Sequence, residues 1–217
     1  MSKSLITMPT YKFLYFNGRG AGERIRLLFK IKKVEFEDSR FNFEDFKSQQ
    51  ADGKFVVALD KLPILDVDGV QIPQSKAIER FLAKQFGMMG TDPVEEAQID
   101  SVCEHQRDLR DGYKKVDDLP NGDEKEQKYQ AWFENDFPAF LGKVEKALPD
   151  APGPFLVGPT MTLADVAWYQ FLLDYLDGEG WKGEKEAVAS VLTQAPRVKA
   201  AVEAVRDNPE VAAWIAS

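Results

Sequence analysis

The stretches YKFLYFNGRG (residues 11–20) and KLPILDVDGVQIPQS (residues 61–75) decide how this chain folds. The first is apolar and aromatic enough from Tyr11 to Phe16 for a buried central strand, and it carries Tyr15 into a turn rich in glycine. The second predicts two strands joined at Asp68-Gly69, because Asp-Gly is a strong signal for a two-residue hairpin turn. The polar pair Gln74-Ser75 then begins a helix.

The segments around these stretches alternate between strand and helix. The spacing of apolar residues predicts helices over Glu23–Lys32 and Gln74–Phe86. Alternation predicts a strand over Val34–Asp38, and Phe43–Gln49 has the pattern of a short helix or an irregular turn. The order β-α-β followed by β-β-α is typical of a thioredoxin-like domain, which we expect over residues 1–86.

The character of the sequence changes at GMMGTDP (residues 87–93), where glycines and a proline indicate a linker. Beyond it the periodicity predicts an all-α domain of five or six helices over residues 92–217. The predicted fold class is therefore α/β plus all-α, an N-terminal thioredoxin-like domain followed by an all-helical C-terminal domain. Breaks between the helices are expected at 119–123, 148–158 and 177–183.

The composition is that of an ordinary globular protein, with 217 residues of which 44% are hydrophobic. The net charge of −8 repels phosphate backbones and anionic lipid, so neither nucleic acid nor a membrane surface is an expected partner. No stretch has the apolar length of a membrane-spanning helix, and the N-terminus lacks the apolar core of a signal peptide. We therefore expect a cytoplasmic protein.

Cys103 is the single cysteine and His105 the single histidine, so neither an internal disulfide nor a Cys/His zinc site is expected. The two residues are two positions apart on a predicted helix and do not share a face, which disfavours a catalytic dyad. We interpret Cys103 as a small buried helix residue rather than as a nucleophile.

The segment GPTMTLAD (residues 158–165) is the clearest local signal in the second domain. Thr162 and Asp165 have the spacing of a capping box, in which side chains satisfy the free N–H groups of a helix start. The helix that follows is nearly all apolar, so an uncapped start would leave buried donors unpaired. We interpret this segment as a folding element rather than as a catalytic one.

Tyr15 has two interpretations. Taken alone, it is a core tyrosine on a strand. A hydroxyl that donates to sulfur would instead stabilise a thiolate and lower the pKa of a thiol, which is about 8.5 in the free state. The turn from Asn17 to Gly22 favours the second interpretation, because it places Tyr15 at the C-terminal edge of a strand, where α/β sheets bind ligands.

Tyr15, Lys61-Leu62-Pro63 and Gln74-Ser75, in this order and joined by DVDG (residues 66–69), resemble the glutathione-binding half of cytosolic glutathione transferases of the sigma class. That class includes glutathione-dependent prostaglandin D synthases and lens S-crystallins. The resemblance implies a homodimeric enzyme that joins the thiolate of its co-substrate glutathione to small hydrophobic electrophiles. Tyr15 is implied to be the catalytic residue that activates the thiolate.

The resemblance covers the chain from about Tyr11 to Trp214 and assigns further residues. It implies a cis peptide bond before Pro63, so that the main chain of the preceding residue pairs with the cysteinyl part of glutathione. The glutathione-binding residues it implies are Phe46, Gln50, Lys61, Leu62, Pro63, Gln74, Ser75 and, across a dimer interface, Asp108. The residues it implies for the wall of the electrophile pocket are Phe16, Gly18, Arg110 and Tyr113.

Some positions near the glutathione depart from the family pattern. Ala21 stands where the family often has an arginine in a Gly-Arg-Ala-Glu stretch, so a cation that helps to hold the thiolate is missing. Phe46 stands for a tryptophan, and Gln50 for a basic residue. The residues that could restore the missing charges are Arg19, Arg24 and, after a shift in the alignment, Lys47.

The expected absence of a metal rests on one further departure. In the prostaglandin synthases, an acidic cluster at the dimer interface binds a divalent metal, and the matching positions here are Glu104, Arg107 and Asp108. Arg107 would place a cation in that site, so no metal is expected. Lys115 stands for a tryptophan of the synthase substrate pocket.

Two alternative functions stay open. A non-catalytic ligandin or crystallin-like binding protein is favoured by the absence of arginine at Ala21, and disfavoured by the presence of Tyr15. A glutathione-dependent prostaglandin isomerase is disfavoured by Arg107 and Lys115.

Overall fold

The computed structural model of this protein describes residues 9–176 and 184–217. These residues divide into two compact units, the first ending at Gln85 and the second beginning at Phe86. The first unit contains β1 (Tyr11–Phe16), α1 (Gly20–Ile31), β2 (Glu37–Phe41), α2 (Phe43–Ala51), β3 (Ile64–Val67), β4 (Val70–Pro73) and α3 (Ser75–Gln85).

The strands of the first unit form one sheet in the order β2-β1-β3-β4. β1 runs parallel to β2 and antiparallel to β3, and β3 pairs with β4 as a hairpin. Phe13 on β1 and Leu65 on β3 are fully buried, as expected for the two central strands. Helices α1 and α3 pack against each other. The predicted thioredoxin-like domain is confirmed.

The hairpin turns at Asp68 and Gly69, whose φ angles are +51° and +88°. Asp66 Oδ1 accepts the N–H of Gly69 at 2.8 Å, and Asp68 Oδ1 accepts both the N–H and the hydroxyl of Thr10. These hydrogen bonds from Thr10 lower the pKa of Asp68. The Asp-Gly turn was correctly predicted because both residue types tolerate positive φ.

The second strand begins three residues later than predicted, at Glu37 instead of Val34. The main-chain N–H of Val34 donates to the carbonyl oxygen of Phe29 at 3.0 Å, which closes the end of α1. The ring of Phe36 stacks on that of Phe29 with centroids 4.3 Å apart. The apolar alternation at 34–36 therefore reflects packing on α1, and pairing with β1 starts only at Glu37.

All the regular secondary structure of the second unit is helical within the residues described, which confirms the predicted all-α domain. Its helices are α4 (Pro93–Asp117), α5 (Asp123–Ala131), α6 (Phe137–Ala147), α7 (Leu163–Leu176), α8 (Glu184–Leu192), α9 (Pro196–Arg206) and α10 (Pro209–Ile215), with a π-helical segment at Trp132–Asp136. The described residues of the second unit thus form seven α-helices, more than the five or six predicted for this domain. Asn208 caps α10 as a separate helix that begins at Pro209.

The helix breaks predicted at 119–123 and 148–158 fall between α4 and α5 and between α6 and α7, whereas 177–183 lies outside the described residues. Cys103 is buried on α4, as interpreted from the sequence.

The capping segment before α7 is built around the buried carboxylate of Asp165. Its Oδ2 accepts the N–H and the hydroxyl of Thr162 at 2.7 and 2.9 Å, and its Oδ1 accepts the N–H of Leu156 at 2.8 Å. Burial raises the pKa of Asp165 to about 6, against the opposing effect of these hydrogen bonds. The segment therefore secures the start of a buried helix, as the capping pattern predicts.

Candidate functional site

Tyr15 lies at the end of β1, and its half-buried side chain reaches the start of α1. The main-chain N–H of Ala21 donates to Tyr15 Oη at 3.1 Å. Ala21 is in the first turn of α1, where amide groups have no acceptor within the helix. The hydroxyl thus accepts a hydrogen bond from the helix start, and its own proton is available to donate to another group.

The ring of Tyr15 is enclosed by its neighbours. Phe16 meets it edge to face with centroids 5.5 Å apart, and Phe13 stacks on it at 6.0 Å. The guanidinium carbon of Arg26 lies 5.8 Å from the ring centroid. On the side of α1, a Cβ added to Gly22 would come 2.8 Å from Tyr15 Cγ, so the ring lies directly on that glycine.

Arg26 is a fully buried cation at the centre of the turn between β1 and α1. Its Nη1 donates to the carbonyl oxygen of Gly18 at 2.7 Å, and its Nη2 donates to that of Phe16 at 3.1 Å. Its Nε donates to Asp38 Oδ2 on β2 at 3.0 Å, and Glu23 supplies a second carboxylate at 3.5 Å. The charge is therefore paired, as a buried guanidinium requires.

Of the cations that could replace the missing arginine at Ala21, Arg24 has a different partner. Its Nη1 forms a buried ion pair with Glu79 Oε2 on α3 at 2.9 Å. Arg26 is the cation that lies against the Tyr15 ring. The sequence did not single out Arg26, because its proximity to Tyr15 depends on how β1 packs on α1.

The peptide bond between Leu62 and Pro63 is cis, as the resemblance implies. Pro63 is buried, and Leu62 is half-buried against a cluster that includes Phe46 and Phe55. Leu62 precedes Ile64, the first residue of β3 that pairs with β1. Its main chain thus lies at the N-terminal end of a central strand.

Gln74 and Ser75 begin α3 immediately after the hairpin. Gln74 is exposed and has a φ of +76°, a left-handed conformation that is uncommon for a residue other than glycine. Its carbonyl oxygen accepts the N–H of Ile78 at 3.0 Å. Backbone strain of this kind is concentrated at ligand-binding sites. The half-buried Ser75 follows as the first residue of α3.

The end of α2 is tied to the loop before β3. Gln50 Nε2 donates to the carbonyl oxygen of Asp60 at 2.9 Å, next to the exposed Lys61. Lys47 Nζ donates to Gln50 Oε1 at 3.1 Å, so the two side chains lie together one helical turn apart. Lys47 therefore adds a positive charge beside Gln50 without any shift in the alignment, and the i,i+3 spacing was the available signal.

Phe46 belongs to the core of the first unit. Only 7% of the residue is exposed, and its ring stacks on Phe55 with centroids 5.2 Å apart. It also meets the ring of Phe16 edge to face at 5.0 Å. Phe46 thus supports Phe16 and, through it, the end of β1 that carries Tyr15.

The predicted residues of the second unit lie along α4. Arg107 Nη1 pairs with Glu104 Oε2, as expected for a cation placed among acidic residues. Asp108 is exposed on the same helix, and Arg110 pairs with Asp111 at 3.0 Å. Within residues 9–176 and 184–217, no cluster of three or more His, Cys, Asp or Glu side chains is arranged to hold a metal ion.

Tyr113 is part of a hydrogen-bonded group between α4 and α5. Its hydroxyl lies 2.5 Å from that of the buried Tyr129, and Tyr129 donates to Asp117 Oδ1 at 3.2 Å. Since the carboxylate accepts the proton of Tyr129, Tyr113 is the donor between the two phenols. Lys125 donates to the carbonyl oxygen of Asp117 at 2.5 Å and completes the group.

Comparison with known proteins identifies the family. Residues 11–84 match the family described as Glutathione S-transferase, N-terminal domain, and residues 107–217 match Glutathione S-transferase, C-terminal domain. The chain belongs to the glutathione S-transferase family. The expectation of a transferase whose co-substrate is glutathione is thereby confirmed at the level of the family.

Individual relatives of this transferase are similar over nearly the whole chain. Glutathione S-transferase 1 of Ascaris suum is 33% identical over 219 residues, covering 96% of this chain and 97% of that protein. Hematopoietic prostaglandin D synthase of Gallus gallus is 33% identical over 211 residues, covering 96% of each. The structure of monomeric Na-GST-3, from the hookworm Necator americanus, has a TM-score of 0.76 at 30% identity, covering 95% of this chain and 96% of that one.

The described helices of this transferase include none with the length and apolar character needed to cross a bilayer. Of the glycines expected to form the turn after Tyr15, Gly18 lies before α1 and Gly20, its first residue, has a φ of +39°, whereas Gly22 is already inside the helix. The absence of a Cβ at Gly22 matters for the packing of Tyr15 and not for a turn.

Proposed function

We propose that this transferase conjugates the thiolate of glutathione to small hydrophobic electrophiles, and that Tyr15 activates the sulfur. The observation that carries the proposal is the hydrogen bond from Ala21 N–H to Tyr15 Oη at 3.1 Å. A hydroxyl that accepts from the helix start directs its own proton to another acceptor. A hydrogen bond to a charged acceptor contributes roughly 1.5–3 kcal/mol, which corresponds to about one to two units in the pKa of a bound thiol.

The glutathione lies along the edge formed by β3 and the start of α3 in this proposal. The main chain of Leu62, before β3, pairs with the cysteinyl part like an added strand. Gln74 and Ser75 bind the γ-glutamyl carboxylate, which the free N–H groups at the start of α3 also favour. Lys61 and the Lys47–Gln50 pair supply donors and positive charge for the glycyl carboxylate.

The reaction needs a nucleophile and two reactants held close together. With a chloronitrobenzene, the thiol proton passes to solvent, the sulfur forms a bond to the ring carbon, and chloride leaves with the electrons of the broken bond. Tyr15 keeps its proton and donates a hydrogen bond to the sulfur throughout. Proximity of the bound reactants supplies much of the remaining acceleration.

The electrophile is proposed to meet Phe16, Gly18, Arg110 and Tyr113. Tyr113 already donates to Tyr129. Its oxygen therefore meets a substrate as an acceptor, and Tyr113 is not expected to protonate an electrophile. Around Tyr113, the proposed electrophile pocket is therefore suited to apolar groups and to groups that donate a hydrogen bond.

The proposal includes assignment to the sigma class and a homodimer. Similarity to a chicken prostaglandin D synthase supports the class, and the exposed carboxylate of Asp108 is suited to reach the partner's glutathione amine. Symmetry makes such an exchange reciprocal. Since the similar hookworm transferase is described as monomeric, sedimentation of this protein is the direct measurement of its state.

The test is a spectroscopic titration of bound glutathione in Tyr15→Phe. The absorbance of the thiolate should show a pKa about one to two units higher than in the native protein, with glutathione affinity nearly unchanged. Tyr11→Phe is the matched control, because Tyr11 is buried on the same strand but packs on Phe29, away from Tyr15. Equal thiol pKa values in the native protein and Tyr15→Phe would remove Tyr15 from the activating role.

Similarity to a prostaglandin D synthase makes isomerisation of a prostaglandin endoperoxide the second candidate function. Arg107 and the exposed Lys115 disfavour it. Rates of thioether formation with a chloronitrobenzene and of isomerisation of a prostaglandin endoperoxide, measured together with ligand binding, separate these candidates from each other and from a non-catalytic ligandin. Conjugation without isomerisation supports the first, isomerisation supports the second, and ligand binding without either supports a binding protein.

A further inference from the structure

We propose that Gly22 is a positioning residue for Tyr15, because its missing Cβ lets the phenol lie on the first turns of α1 with its oxygen held by the N–H of Ala21. The main-chain N–H of Ala21 then donates the hydrogen bond to the Tyr15 hydroxyl that the methyl side chain of Ala21 cannot supply. This inference rests on the proposed role of Tyr15 as the activator of the thiolate.

The space for the ring exists only because residue 22 has no side chain. A Cβ at Gly22 would lie 2.8 Å from Cγ and 2.9 Å from Cε1 of Tyr15, and would be closer still to Cδ1. Contacts under 3.0 Å between a Cβ and another carbon do not occur without a shift of one of them. The three nearest atoms all belong to Tyr15. The absence of a side chain at Gly22 therefore leaves room for the ring of Tyr15 in particular.

The ring cannot yield to a larger residue without moving the hydroxyl. The overlap is with the base of the ring, Cγ and Cδ1, and not with the tip of a flexible side chain. Phe13, Phe16 and the buried Arg26 contact other parts of the half-buried ring. A ring pushed away from α1 loses the 3.1 Å hydrogen bond from Ala21, because the donor is fixed in the main chain.

The hydrogen bond from Ala21 has a chemical consequence at the sulfur. An N–H in the first turn carries part of the positive end of the helix dipole. Donation to Tyr15 Oη draws electron density from the oxygen, and hydrogen bonds in series strengthen one another. The Tyr15 hydroxyl is thereby a better donor to a thiolate than an isolated phenol. The helix start supplies this effect without a charged side chain at position 21.

The primary test is Gly22→Ala, measured as the pKa of bound glutathione in the ultraviolet titration. We expect a rise of about one unit and a fall of about tenfold in kcat/KM below that pKa, since one hydrogen bond to the activating group is lost. The KM for glutathione should change little, because Gln74 and Ser75 are untouched. Gly142→Ala is the matched control: Gly142 also lies within a helix, but a Cβ there meets nothing within 4 Å.

Ala21→Pro removes the donor by an independent route. Proline has no N–H and is tolerated in the first turn of a helix. The change deletes the hydrogen bond, and the proline Cδ displaces the hydroxyl from the helix start, without any change at residue 22. It should raise the pKa of the bound thiol in the same direction as Gly22→Ala. This second variant keeps the inference testable if Gly22→Ala does not fold.

The deciding measurement is the double variant Tyr15→Phe/Gly22→Ala. If Gly22 acts through the hydroxyl, Gly22→Ala causes no further rise in the thiol pKa once the hydroxyl is absent. Equal rises in both backgrounds, or no rise from Gly22→Ala and Ala21→Pro in the native background, would overturn the positioning role. A thiol pKa unaffected by Tyr15→Phe alone would instead overturn the proposed function, so the two failures are distinguishable.

Discussion

Arg26 Nη1 lies 2.7 Å from the carbonyl oxygen of Gly18, and this contact joins the second turn of α1 to the turn after β1. The same guanidinium bonds Phe16 and Asp38, so one buried cation sets the positions of β1, β2 and the turn that follows Tyr15. These contacts matter because the Arg26 side chain is fully buried, so its charge depends on protein partners instead of water.

Arg26→Met should lower the free energy of unfolding by about 3–5 kcal/mol, the usual cost of breaking a buried ion pair on one side. Asp38 loses its partner on α1, and the carbonyl oxygens of Phe16 and Gly18 lose their donors. Urea unfolding measures the change. The control Arg206→Met removes an exposed cation that pairs with Asp207, and should cost less than about 0.5 kcal/mol. Similar losses in both variants would show that the Arg26 contacts contribute little.

Ser75→Ala and Gln74→Ala should each raise the KM for glutathione by about tenfold with kcat within about twofold of the native value. Both residues are proposed to hold the γ-glutamyl end, away from the sulfur, so they bind ground state and transition state alike. Steady-state kinetics with varied glutathione measure this. Ser101→Ala, an exposed serine on α4, is the control. A fall in kcat at unchanged KM would contradict the assignment.

The parts of this site that local sequence predicts are those set by a single strand, turn or helix start. β1 has the predicted bounds of Tyr11 to Phe16, because a strand in the centre of a sheet has a mostly apolar sequence that can be recognised locally. The hairpin at Asp68-Gly69 follows from turn chemistry. The predicted start of β2 was wrong because Phe36 packs on Phe29 of α1 and does not pair within the sheet.

The remaining features of the site depend on which elements pack together. The pairing of Arg24 with Glu79 joins α1 to α3. The contact of Gly22 with Tyr15 joins α1 to β1. Neither is visible in a local pattern. The Lys47–Gln50 pair could have been predicted, since residues three apart on a helix are neighbours.

Activity should be insensitive to chelators and to millimolar Mg²⁺. Magnesium takes oxygen ligands, and the ion pair between Arg107 and Glu104 places a positive charge where a cation would have to bind. Initial conjugation rates with and without EDTA or Mg²⁺ measure this. Arg107→Asp is the comparison variant, and a response to Mg²⁺ should appear only there. Stimulation of the native protein that is lost in Arg107→Asp would contradict this interpretation.

Asp165→Asn should change how stability depends on pH. Burial raises the pKa of Asp165 from 3.8 to about 6, so between these values the native state binds more protons than the unfolded chain. The contribution is fully present below the unfolded pKa and is lost as the pH rises through the native one. Relative to Asp165→Asn, the native protein should therefore gain about 1 kcal/mol as the pH falls from 7 to 5.

Urea unfolding at the two pH values measures that gain. Asp165→Asn should also be less stable at both values, by about 2 kcal/mol at pH 7, because its amide nitrogen cannot accept from Thr162. A stability difference that narrows as the pH falls would show that the native state favours the ionised carboxylate, and the direction of the shift would be wrong.

Asp108→Ala should weaken glutathione binding while leaving the proposed dimer intact. The ammonium group of glutathione needs a carboxylate, and Asp108 is exposed on α4. Titration calorimetry measures the affinity, and sedimentation measures the oligomeric state. Asp111→Ala is the control on the same helix, since Asp111 pairs with Arg110. Unchanged affinity in Asp108→Ala would remove Asp108 from the site.

A mixed dimer decides whether Asp108 acts across the interface. One subunit carries Tyr15→Phe and the other carries Asp108→Ala. If the carboxylate is exchanged, the subunit with Asp108→Ala keeps its own Tyr15 and receives an intact Asp108, so one site of the two is complete. That site should bind glutathione and ionise its thiol as in the native protein. If Asp108 acts within its own chain, the subunit with Tyr15→Phe is the one that binds glutathione tightly, so the tightly bound thiol has the raised pKa and neither site combines native affinity with a native thiol pKa.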